Sequence, residues 1–325
     1  MVAQSAVVAD IGGTHARFGL IGVEGRLEKV SVLQCADFRG LEEAYRHFSE
    51  QTSSVADRLA VAVACPVHQD LVKLTNNHWS FRKGDIVDSL GLTELLTIND
   101  FTAQSLAVVS VSESSFEVLQ PGMADPLAPL FVIGPGTGLG VGGVVVDADG
   151  EWTPLSTEGG HVTMAAQTED EWQLLSCLRR EFPHVSAERL ISGPGLHLMY
   201  RTLCVREGQP VKALDTASMM LIAETDLLVQ RTLDLFAGFF GIVASDGCLT
   251  LGATGGCFVA GGVIPKLGTH FRREIFLDRF KAKGRFHQYL SHIPIKILLD
   301  SEAGLYGLQR ALSTRSLARF SVRPQ

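Results

Sequence analysis

Asp10-Ile11-Gly12-Gly13-Thr14-His15-Ala16-Arg17-Phe18-Gly19-Leu20 stands between two apolar runs, Ala6 to Ala9 and Phe18 to Val23, and the fold turns on how this stretch is read. It reads as a strand, a tight glycine turn and a returning strand. Glycine takes positive φ freely and has no Cβ, so the N–H groups of Gly12 and Gly13 can close on an anion, with the Thr14 hydroxyl as a further donor. Asp10, at the end of the first strand, then faces a metal carried by that anion. Hard cations such as Mg2+ are commonly held by one or two carboxylates, water and phosphate oxygens. The alternative is an ordinary hairpin whose Gly-Gly turn binds nothing.

Residues 6 to 33 give three short strands, Ala6 to Ala9, Ala16 to Val23 and Leu27 to Leu33, joined by turns too short for anything but an antiparallel meander. Leu41, Ala44, Tyr45 and Phe48 recur at helical spacing. Leu59 to Cys65 is a continuous apolar run suited to a strand buried on both faces. Strand, strand, strand, helix, strand is the order of half an actin-like ATPase domain. The unit recurs: an apolar strand, Leu130 to Ile133, leads into Gly134-Pro135-Gly136-Thr137-Gly138-Leu139-Gly140, then Val141 to Val146, a turn at Asp149-Gly150, and a strand from Glu151 to Leu155. A shift of 123 positions lays Gly12-Gly13-Thr14 on Pro135-Gly136-Thr137, an internal repeat that supplies a second phosphate turn. Gly138-x-Gly140-x-x-Gly143 matches the dinucleotide string, yet Val144 to Val146 continues as strand, so the helix that motif requires is missing. No P-loop and no Gly-x-Ser-x-Gly occurs.

Composition narrows the class. The 325 residues suit two domains, and 46% hydrophobic, 19% charged and 33 glycines describe a globular enzyme. A net charge of -7 without a Lys/Arg cluster argues against a nucleic-acid partner. Six scattered cysteines form neither a zinc pattern nor a disulfide framework, which points to a reducing cytoplasm. The first basic residue is Arg17, so the charged start of a signal peptide is not expected. The uncharged run Gly247 to Pro265 has the length of a membrane span, but its six glycines favour a buried helix end followed by a core strand, and no membrane is expected.

Polar residues gather at the ends of these elements. Thr75 to Phe81 is a loop dense in hydrogen-bonding side chains. Leu95 to Ile98 is a buried strand ending in Asn99-Asp100, where a carboxylate suits a general base and where either residue equally suits a helix N-cap. Glu158-Gly159-Gly160-His161 and Ser186-Ala187-Glu188 supply two acids and an imidazole able to grip vicinal hydroxyls of a sugar. The other reading makes Glu188 an N-terminal helix charge and His161 a satisfied loop histidine. Leu227 to Ala244 is a long apolar-periodic helix and Gly256 to Ala260 a buried strand. Gly261-Gly262 opens a third glycine loop with room for a planar adenine, and Ala303 to Leu312 forms the last helix.

Taken in order with Leu74-Thr75-Asn76 and Lys283-Gly284-Arg285-Phe286, these motifs resemble bacterial ATP-dependent glucokinases of the non-ROK type over nearly the whole chain. The resemblance implies a duplicated actin-like (ribonuclease H-like) α/β fold, with a nucleotide and sugar cleft between a small domain, 1–109 plus 302–325, and a large domain, 110–301. It implies transfer of the γ-phosphoryl group of ATP to the 6-hydroxyl of glucose with Mg2+, in a cytoplasmic homodimer. Asp100 would be the general base, and Asn99, Asp100, Glu158, His161 and Glu188 would hold the sugar. Gly12, Gly13, Thr14, Gly136, Thr137 and Gly138 would cradle the phosphates, Gly261 and Gly262 would line the adenine, and Asp10 would face the metal. His15 stands where the family commonly has Asn, and Pro135, where Ala is familiar, lacks an N–H. The cysteine-rich zinc motif of ROK kinases does not follow His161.

Overall fold

The computed structural model describes residues 5–324, which fall into two compact units: 5–115, 143–156 and 300–324, and 116–142 with 157–299. In the first unit the opening stretch folds as read. β1 (Ala6–Ile11), β2 (His15–Ile21) and β3 (Leu27–Gln34) form the antiparallel meander. β4 (Arg58–Val63) lies parallel to β1. After the small hairpin β5 (Leu71–Lys73) and β6 (Ser80–Arg82), β7 (Glu94–Asn99) lies parallel to β4. β14 (Ser321–Val322) completes the order β14-β7-β4-β1-β2-β3.

The apolar runs account for this placement. Leu59 to Val63 is buried on both faces, as a central parallel strand must be. The helix Leu41–Thr52 turns Leu41, Ala44, Tyr45 and Phe48 inward, and Phe48 stacks on Phe18 of β2 at 5.5 Å between ring centroids. Ile11, Val63 and Asn99 stand in one register across β1, β4 and β7, so Asp10 and the Asn99-Asp100 pair arrive at the same carboxyl edge of the sheet. That edge is where open α/β sheets hold ligands.

The second unit repeats the plan with β8 (Phe116–Gln120), β9 (Leu130–Pro135), β10 (Leu139–Val146), β12 (Gly256–Val259) and β13 (Ile295–Leu298), ordered β10-β9-β12-β13-β8. Beyond Gly142, β10 continues into a hairpin with β11 (Trp152–Ser156) that groups with the first unit. The helix Leu227–Leu251 is capped by Asp226, which accepts from the N–H groups of Leu228 and Val229. It ends at Gly252, whose φ of 63° is left-handed. This helix is long and apolar enough to cross a membrane, but 72% of its apolar window is buried in the protein, where Phe240 packs 4.9 Å from Phe276. The expectation of a helix end and core strand at 247–260 holds. One detail of the repeat is corrected: strand ends at 11 and 135, and strand starts at 15 and 139, set the offset at 124. Gly12-Gly13-Thr14 therefore corresponds to Gly136-Thr137-Gly138. The string match was misled because threonine occupies a different place in each three-residue turn.

Candidate active site

In the first unit the glycine turn is held from behind by its carbonyls. The N–H of Gly12 donates to His15 O at 2.9 Å and closes the turn, while Thr14 O accepts from Cys35 N at 2.8 Å and Gly12 O from Asn77 Nδ2 at 3.2 Å. Asn77 Oδ1 in turn accepts from Trp79 N, and the buried Trp79 indole donates to Cys35 O at 3.1 Å. The turn is exposed, and no described residue accepts from the N–H of Gly13 or Thr14. Free N–H groups at a rigid turn are what an anion cradle requires. Neither Asn77 nor Trp79 was distinguished in the sequence, where both lay in a stretch read only as a polar loop. His15 bonds Gln34, Nε2 to Nε2, at 2.9 Å.

The capping role falls to Asn99, and Phe101 N also donates to Asp100 Oδ1 at 2.9 Å. Asn99 is the N-cap of the helix Asp100–Ala107, its Oδ1 accepting from Phe101 N at 2.9 Å, and Asp100 is the first residue of that helix. Asp100 acts electrostatically on both Asp10 and Cys65. Burial, then the charge of Asp100, pushes the Asp10 acid up to about 6, against a smaller downward pull from Arg17, whose guanidinium is 4.0 Å away. Arg17 gave no signal of this in the sequence. Two carboxylates that raise each other's cost of ionisation suit a divalent cation, which removes that repulsion. No cluster of three or more His, Cys, Asp or Glu occurs among the described residues, so a dedicated all-protein metal cage is not built.

The second unit brings together the other residues. The turn closes by Gly136 N to Gly138 O at 2.8 Å, and Gly193 N donates to Gly136 O at 2.9 Å. Thr137 is exposed at its tip. Gly261, with φ of 82°, lies so near the turn that a Cβ on it would stand 2.6 Å from Pro135 O, so the third glycine loop and the second turn are adjacent. Gly262 follows and opens the helix Val263–Leu267. Glu158 precedes the short 3-10 turn Gly159–His161, which His161 ends; both are exposed, with His161 N donating to Glu158 O at 3.0 Å. Glu188 sits in the four-residue helix Ala187–Leu190, capped by Ser186. Its carboxylate reaches across 49 residues of sequence: Oε2 accepts from Leu139 N at 2.9 Å, and Oε1 stands 4.0 Å from His161 Nδ1. A cavity of about 330 Å3 opens beside it, lined by Thr137, Ser186, Glu188, Arg189 and Ser192 among others.

The family model described as Glucokinase matches residues 7–315. A glucokinase of Hahella chejuensis is 40% identical over 323 residues, covering 97% of this chain and 99% of its own. The crystal structure of a glucokinase from an Antarctic psychrotroph superposes with a TM-score of 0.86 at 34% identity, covering 95% of this chain and 99% of its own. A ROK family glucokinase from Streptomyces griseus, solved with glucose and AMPPNP, shares the fold at a TM-score of 0.63 and 16% identity, covering 94% and 98%.

Proposed function

The chain belongs to the glucokinase family, and from that premise we propose that it transfers the γ-phosphoryl group of ATP to the 6-hydroxyl of glucose, giving glucose 6-phosphate and ADP. The observation that carries the proposal is the arrival of Asp10 and Asp100 at one sheet edge, in the unit that holds the Gly12-Gly13-Thr14 turn with the free N–H groups of Gly13 and Thr14. Asp100 takes the 6-hydroxyl proton as the oxygen attacks in line, and Asn99, fixed by its cap, orients the sugar with its remaining amide hydrogens. Glu158, His161 and Glu188 hold the other hydroxyls. Gly12, Gly13, Thr14, Gly136, Thr137 and Gly138 cradle the phosphates, and Gly261 and Gly262 leave room for the adenine. Asp10 is the carboxylate fit to hold Mg2+, which when bound with ATP neutralises phosphate charge. We place the enzyme in the cytoplasm, where its six free cysteines stay reduced, and assign it the homodimeric state the resemblance implies.

Coupled ADP release, measured with ATP and Mg2+ and separately with glucose, mannose, fructose, galactose, glucosamine or no sugar, tests the proposal. Release should depend on glucose, and Asp100→Asn should lower kcat by about two to four orders of magnitude, the usual weight of a general base. Release without sugar would make the chain an actin-like ATPase instead, and a near wild-type Asp100→Asn would remove Asp100 from the role of base.

A further inference from the structure

The geometry points to Gly138 and the N–H of Leu139 as positioning residues for the sugar: they seat the Glu188 carboxylate, and the absence of a side chain at Gly138 is what lets it sit there. This rests on the reading of Glu188 as a sugar ligand. Glu188 Oε2 accepts from Leu139 N at 2.9 Å while lying against Gly138, where a Cβ would fall well inside any non-bonded distance from that oxygen. The other oxygen, Oε1, faces His161 at 4.0 Å. One carboxylate oxygen is thus spent on the turn and the other is aimed toward the imidazole that shares the sugar. Glu188 is half-buried and its helix is only four residues long, so neither burial nor helix packing alone fixes its side chain. The tether to residue 139 does. Gly138 then serves the nucleotide through its N–H and the sugar through its bare Cα.

Gly138 has no left-handed φ and the atom a Cβ would strike is the end of a flexible side chain, so Gly138→Ala folds and displaces Glu188 rather than the backbone. Calorimetric titration of the full chain with glucose, without nucleotide, should give a Kd about 10- to 100-fold weaker in Gly138→Ala, the weight of a hydrogen bond to a charged group. The glucose KM should rise with it, and by a larger factor than the ATP KM. In a Glu188→Ala background, which has no side-chain acceptor for Leu139, the same substitution should change glucose affinity less than about twofold, because it acts through Glu188. Unchanged glucose affinity in Gly138→Ala, a rise in ATP KM alone, or additive effects in the double variant would overturn the inference. Hydrogen exchange at the Leu139 amide reads the tether with no sugar present: it should be protected in the wild type and fast in Gly138→Ala and Glu188→Ala. If the wild type failed to bind glucose while that pattern held, the tether would stand and the sugar reading would fall. If Leu139 exchanged alike in all three, the tether itself would be refuted.

Discussion

Asp10 ionises only near pH 6 because burial and the negative charge of Asp100 both oppose a second carboxylate at that edge. Its ordinary value is 3.8, so the folded protein prefers the neutral acid. A raised acid contributes stability that is complete below about pH 4 and is lost as pH rises through about 6, amounting to about 3 kcal/mol at most by the linkage between proton affinity and folding. Removing the charge should recover it. In calorimetric melting without Mg2+ or nucleotide, Asp10→Asn should melt several degrees above wild type at pH 7.5 and close to it at pH 4. Equal melting at pH 7.5 would mean that Asp10 carries no such penalty. The same substitution should abolish Mg2+-dependent turnover, a stability gain opposed to a functional loss, as expected where a site stores unfavourable charge for its ligand.

The elements that place Asp100 meet through small residues. The helix Ala303–Ala311 packs on β1 and on the helix that Asp100 begins, and at Gly307 the approach leaves no room for a Cβ, which would overlap the carbonyl of Ala103. Two effects of Gly307→Ala compete. Helix propensity favours alanine by about 1 kcal/mol. Overpacking against backbone, which cannot rotate away, costs about 1–3 kcal/mol. Packing wins, and we expect chemical denaturation to show a net loss of about 1–2 kcal/mol, with kcat falling more than either KM because the helix carrying Asp100 is displaced. A variant more stable than wild type would show that the two helices part without cost. At this scale much was legible in advance. Continuous apolar runs became parallel strands, the Gly12-Gly13 turn joined two strands, and the last helix lies at 303–311, because each signal is local to its own residues. What the sequence could not show depends on placement: Arg17 beside Asp10, Asn77 behind Gly12, and Glu188 on Leu139 join residues up to 65 positions apart, and the true offset of the repeat needed the strand ends.

Across the whole molecule the two units carry separate apolar cores, one around Phe18, Phe48 and Trp79 and the other around Phe236, Phe240 and Phe276. The cysteines are distributed between them as probes. Cys35 and Cys65 are buried in the first unit, Cys204, Cys248 and Cys257 in the second, and Cys177 alone is half-buried. Burial also pushes the Cys35, Cys65 and Cys248 thiols above their ordinary value, so little of the reactive thiolate forms at neutral pH. Exposure and acidity therefore act in the same direction. Brief alkylation of the native chain, followed by peptide mass spectrometry, should label Cys177 first. The other five should react only as denaturant opens their unit, with Cys35 and Cys65 appearing together and the remaining three together, since thiols in one packed core share its opening free energy. Fast native labelling of Cys35 would contradict this most directly. Cys35 holds the Thr14 carbonyl through its own N–H and receives the Trp79 indole, so a reactive thiol there would mean that the Gly12-Gly13-Thr14 turn opens without unfolding of its unit.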